Sequence, residues 1–138
     1  MSRPRLVAQL LTAERKLRRW VDQQQSATGL TAAGAGALFT VRRHGRAPVS
    51  AVAAELGATV SGVSGLLGRL ERQGLITRVK DPDDRRSTLV ELTAAGASAE
   101  ADARRALAEL NARITEGFSA EEIEVVGRWL AHVGELEP

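Results

Sequence analysis

The most regular hydrophobic pattern in the chain lies between Ser50 and Leu75, in SAVAAELGATVSGVSGLLGRLERQGL. Apolar side chains fall at Val52, Ala53 and Leu56, and again at Val60, Val63, Leu66, Leu67 and Leu70. Spacings of three and four put each set on one face of a helix. The pattern predicts two short helices, over roughly 50–56 and 59–73, that meet at Gly57. A glycine there can take the left-handed backbone that ends a helix. Thr59 can cap the second helix by accepting from a free N–H in its first turn. Two helices joined at a steep angle by such a turn form a helix-turn-helix, whose second helix enters the DNA major groove. An ordinary αα-corner in a helical bundle has the same spacing, so the decision rests on what surrounds the motif.

Before it, Leu6, Leu10, Ala13, Leu17 and Val21 form one stripe, with Val7 and Leu11 beside it, and predict a helix over 4–25. Arg15, Lys16, Arg18 and Arg19 crowd its second half, where cations complement the helix dipole. Gln23 to Gly29 reads as a polar exit. Thr31 then caps a helix carrying Ala35, Leu38, Phe39 and Val41 and ending at His44–Gly45. Gly34 and Gly36 each weaken that helix by about 1 kcal/mol relative to alanine, so tertiary packing must hold it. Pro48 biases Ala47 away from helix and makes 46–49 an extended link.

After it, Leu75 to Lys80 (LITRVK) and Ser87 to Leu92 (STLVEL) read as two short strands. The turn-forming run Asp81-Pro82-Asp83-Asp84-Arg85-Arg86 joins them into a basic-tipped β-hairpin. Thr93 caps a helix reaching about Gly117, with Leu107, Leu110 and Ile114 following the small residues Ala97, Ala101 and Ala103. Ser119 and Glu122 form a capping box, with Phe118 and Ile123 at the staple positions. The last helix runs to about Leu136 with Ile123, Val126, Leu130 and Val133 on one face. The expected fold is therefore mainly α, with six helices and a small β-hairpin.

Charge adds a direction. The net charge is only +2, yet residues 1–86 hold 15 Lys/Arg against 7 Asp/Glu, and residues 87–138 hold 4 against 10. A basic front and an acidic tail fit a protein with one face toward a polyanion, or a dipolar solvated surface. With no cysteine, disulfides, thiolate zinc sites and thiol redox sensing are excluded. His44 and His132 are far apart and match no metal-ligand spacing, so neither a metal nor another cofactor is expected. No apolar run approaches the length of a membrane span, and the N-terminus lacks a signal peptide's apolar stretch; the expected location is cytoplasmic, without a membrane partner. No histidine, cysteine or paired-carboxylate arrangement suggests an enzyme. The acidic Glu121, Glu122 and Glu124 open a helix, where negative charge is already favourable.

Five blocks now carry a resemblance: LT at 30–31, ELG at 55–57, SGVSGLLGRLERQGLI at 61–76, DPDDRRS at 81–87 and LTAAG at 92–96. Their order and spacing resemble the MarR (multiple-antibiotic-resistance regulator) family, and the flanking helices agree in number and length. The resemblance implies a single domain over 1–138: a winged helix-turn-helix lobe at 30–92, with helices at 4–25 and 93–136 interlocked in a homodimer. It implies a repressor of transcription bound to a pseudo-palindromic operator in double-stranded DNA and released by a small, aromatic or anionic effector. It also implies that Asp84 pairs with Arg86 to fix the wing tip while Arg85 or Arg86 reaches a groove.

The residues themselves nominate the interface. Thr59, Ser61, Ser64 and Arg69 lie away from the apolar stripe of the second motif helix. Hydroxyls can bond phosphates or either kind of base edge, and arginine can pair bidentately with guanine. Thr59 fits a cap as well as a base contact. Arg85 and Arg86, on a turn, suit a narrow electronegative minor groove. Arg42, Arg43 and Arg46 fit phosphate contacts or a solvated helix end equally. Gly62, Gly65 and Gly68 occupy this helix at a three-residue spacing, and at the first two the family usually carries longer, often polar or basic side chains. Either the bare backbone at Gly62 and Gly65 approaches DNA closely, or sequence preference is weak; the latter leaves open a helical protein-interaction module with a vestigial or non-specific DNA site.

Overall fold

The computed structural model describes residues 5–137. Its elements run α1 (Leu6–Thr28), α2 (Ala32–His44), β1 (Arg46–Pro48), α3 (Val49–Glu55), α4 (Val60–Arg72), β2 (Ile76–Lys80), β3 (Thr88–Leu92), α5 (Ala94–Thr115) and α6 (Ala120–Gly134). The six expected helices and the hairpin are present. Two compact units are formed, Met1–Asp102 and Ala103–Pro138, with the boundary inside α5.

Four of the helix starts follow side-chain capping. Thr31, Thr59 and Thr93 accept from the N–H groups of Gly34, Gly62 and Gly96 at 2.9, 3.0 and 3.0 Å. Each bond satisfies a donor that the first helical turn leaves open. Ser119 and Glu122 complete their capping box at 3.1 and 2.8 Å. The end of α1 departs from expectation. The Gln23–Thr28 stretch stays helical, because its glutamines and alanine tolerate helix well, and α1 ends at Gly29, whose N–H donates to Gln25 O at 2.7 Å. The expected start at Pro4 lies outside the described residues.

In the first unit the core is built from α2, α3, α4 and the sheet: Leu38, Val41, Val52, Val63, Leu67, Ile76 and Val90 are essentially sealed from solvent. The motif helices α3 and α4 are bent by 107° across their short break, within the range of helix-turn-helix units. Gly57 makes that bend with φ +62, a conformation few side-chain-bearing residues adopt. No single described helix is long and apolar enough to cross a membrane.

The sheet has three strands, not two, in the order β1-β3-β2, all antiparallel. The expected link at 46–49 supplies the extra one: Arg46, Ala47 and Pro48 pair with Glu91, Val90 and Leu89. Pro48 is tolerated because the strand is short and at an edge. In the hairpin, Ile76 faces Leu92 and Lys80 faces Thr88.

The second unit contains the end of α5 and α6. It leaves large apolar side chains in solvent, among them Leu107, Ile114, Phe118, Val126 and Leu130. In the first unit α1 does the same with Leu6, Val7, Leu11 and Leu17.

Candidate nucleic-acid interface

The exposed side of α4 is set by what its other side buries. Val63, Leu66, Leu67 and Leu70 are at most 7% exposed, and helical geometry turns the intervening positions outward. Thr59, Ser61, Gly62, Ser64, Gly65 and Arg69 are all exposed, so the nominated positions form one accessible surface. Thr59 is engaged as the cap, and its hydroxyl proton remains available to donate. Val60 departs from the expected core stripe. It sits in the first turn at the margin of the apolar arc and is 54% exposed.

The wing tip is built by short backbone and carboxylate bonds. Asp81 N–H donates to Ser87 O at 3.0 Å, and Ser87 N–H to Asp84 O at 2.9 Å. Asp83 N–H donates to Asp81 Oδ1 at 2.9 Å, and Arg86 N–H to Asp84 Oδ1 at 3.0 Å. Asp84 is bonded to Arg86 through that residue's main-chain N–H. A carboxylate two residues upstream reaches a backbone N–H readily in an Asx turn. The consequence is that both guanidiniums stay exposed; among the described residues neither Arg85 nor Arg86 forms an ion pair.

Ion pairing sorts the remaining cations. Arg42 reaches Glu100, a carboxylate only 2% exposed, at 2.9 Å. Arg43 pairs with Glu55, Arg46 with Glu91 across the β1–β3 register, and Arg78 with Glu71 at 3.3 Å. These four have carboxylate partners inside the protein. Arg69, like the wing arginines, has none among the described residues. The Arg78 guanidinium bonded to Glu71 holds that carboxyl below its usual range.

Glu55 is a junction that the sequence pattern did not reveal. At the end of α3 it accepts from His44 Nε2 at 2.9 Å, from Thr40 Oγ1 at 2.8 Å, and from Arg43, all on α2. The His44 bond first, then the Thr40 bond and the Arg43 charge, lower its pKa to about 2. His44 therefore helps fix α3 against α2 and so positions α4. Only the ELG block hinted at it, without naming its partners.

Residues 28–87 match the model of the MarR family. Over that part the chain is similar to the MarR family, and its fold is a winged helix-turn-helix. It is similar over 56 residues, at 43% identity, to the Bacillus subtilis HTH-type transcriptional regulator YfiV; the match spans 41% of this chain and 35% of that protein. Over most of its length it shares the MarR fold. A serine-for-cysteine mutant of Escherichia coli MarR, complexed with operator DNA, superposes with a TM-score of 0.80 at 23% identity, over 93% of this chain and 92% of the other. Bordetella bronchiseptica BpsR, whose DNA binding is regulated by 6-hydroxynicotinic acid, gives 0.75 at 23% identity, over 94% and 99%.

Proposed function

We propose that this chain is a MarR-family regulator: a cytoplasmic, homodimeric, non-enzymatic repressor that binds a pseudo-palindromic operator in double-stranded DNA with sequence specificity. The observation that carries the reading is the pairing of an exposed polar face on α4 with a wing whose two tip arginines have no internal carboxylate partner among the described residues. Cations left unpaired by their own chain are the ones a phosphate backbone or narrow minor groove can use. Thr59, Ser61, Ser64 and Arg69 would face base edges or phosphates in the major groove, and Arg85 and Arg86 the adjoining minor groove.

Dimerisation is supported by the exposed leucines and valines of α1 and, separately, of α5 and α6. Several large apolar side chains exposed along one helix suit an interaction site. A two-fold dimer would set its recognition helices about 34 Å apart, one turn of B-DNA. Release by a small aromatic or anionic effector is supported by the likeness to BpsR.

A gel-shift titration with the protein's own upstream DNA tests the proposal. Binding should exceed that to random duplex at moderate salt and weaken steeply as salt rises. Equal retention of both duplexes would reject sequence-specific regulation.

A further inference from the structure

We propose that Val60 reads a thymine methyl group in the major groove. The inference rests on the DNA-binding reading above and assigns a specificity-determining side chain that hydrogen-bonding logic leaves out.

Val60 is the one large apolar side chain of α4 that is exposed among the described residues, at 54%. The core beneath α4 closes without it: Val63, Leu66, Leu67 and Leu70 are already at most 7% exposed. Its neighbours on the accessible surface are short. Ser64, four residues on and so on the same side of the helix, presents only a hydroxyl, as does Ser61 next to Val60 in sequence. The surface around Val60 is therefore low, and a base edge can approach until it meets the two γ-methyl groups.

Chemistry then selects the base. Serine hydroxyls donate or accept, so they discriminate weakly between base edges. In the major groove thymine alone carries a C5 methyl, and an apolar side chain recognises it by excluding water between the two. Burying one methyl-sized group is worth about fourfold in affinity.

Duplexes enriched by the full-length protein from a randomised pool supply the probe. Each thymine is then replaced singly by deoxyuridine, which removes the methyl and keeps the base pair, and binding is followed by fluorescence anisotropy at fixed salt. At one thymine per half-site the wild type should lose about fourfold, and Val60→Ala should show no loss at that position. Alanine is the stronger helix former at an exposed site, so the variant should fold, and its denaturation midpoint checks this. Wild-type binding indifferent to every deoxyuridine, or Val60→Ala retaining the full loss, overturns the inference while leaving DNA binding intact. A pool that returns no enriched duplex rejects the sequence-specific reading and the inference together.

Discussion

Gly96 lies so close to Leu75 that a Cβ on it would stand 1.8 Å from the Leu75 carbonyl oxygen. The same oxygen accepts from Thr93 N–H at 3.1 Å, and the Thr93 hydroxyl donates to Gly74 O at 2.6 Å. The chain leaving α4 and the chain entering α5 are thus joined backbone to backbone. Gly96→Ala should lower stability by about 1–3 kcal/mol or more, since the atom it meets is main chain and cannot rotate away. Urea denaturation would measure this; a midpoint within error of wild type would mean that the junction yields easily.

Arg85→Ala and Arg86→Ala should each weaken DNA binding while leaving the denaturation midpoint nearly unchanged, because neither side chain has an ion-pair partner among the described residues. Each phosphate contact removed should reduce the slope of log K against log salt by about 0.9. Anisotropy titrations at several salt concentrations give both quantities. Unchanged affinity in both variants would favour a protein-interaction module with a vestigial DNA site.

Thr59→Ala removes the cap on α4 and should destabilise the protein by about 1 kcal/mol. Thr59→Ser keeps a hydroxyl at the same place and should restore most of that stability. If Thr59→Ser also restores DNA affinity, the cap accounts for the residue's whole contribution. Affinity that stays low with stability recovered would assign the threonine methyl to the DNA.

Glu55 sets an acid limit on the α2–α3 junction. Its carboxyl is lowered from 4.5 to about 2 by the bonds from His44, Thr40 and Arg43. A carboxyl with a depressed folded-state pKa contributes stability that is complete above its unfolded value and is lost as pH falls toward the folded value. Wild type should therefore be more stable than Glu55→Gln at pH 6, and the gap should close between about pH 5 and pH 2. Thermal melts across that window check the sign; a gap that widens on acidification would contradict it.

What the sequence disclosed follows the range of the interactions involved. Thr31, Thr59, Thr93 and Ser119 mark helix starts because a capping bond spans only three residues, so its chemistry is written locally. The wing was legible for the same reason, as a turn-forming run between two β-branched stretches. Strand β1 was not, because three residues become a strand only when Val90 and its neighbours lie beside them. The pairing of Arg42 with Glu100, 58 residues away, was equally invisible and turned an open choice about phosphate contact into an internal ion pair. Periodicity misplaced Val60 because it assigns a direction around the helix and says nothing about where the neighbouring layer stops.

The strand order β1-β3-β2 leaves two open sheet edges in each chain. One is three residues long and holds Pro48, which has no N–H to offer another strand. The other carries Lys80 on β2, so copies meeting rim to rim would bring like charges together. Crowded molecules of this protein are thereby discouraged from zipping into fibrils through their wings.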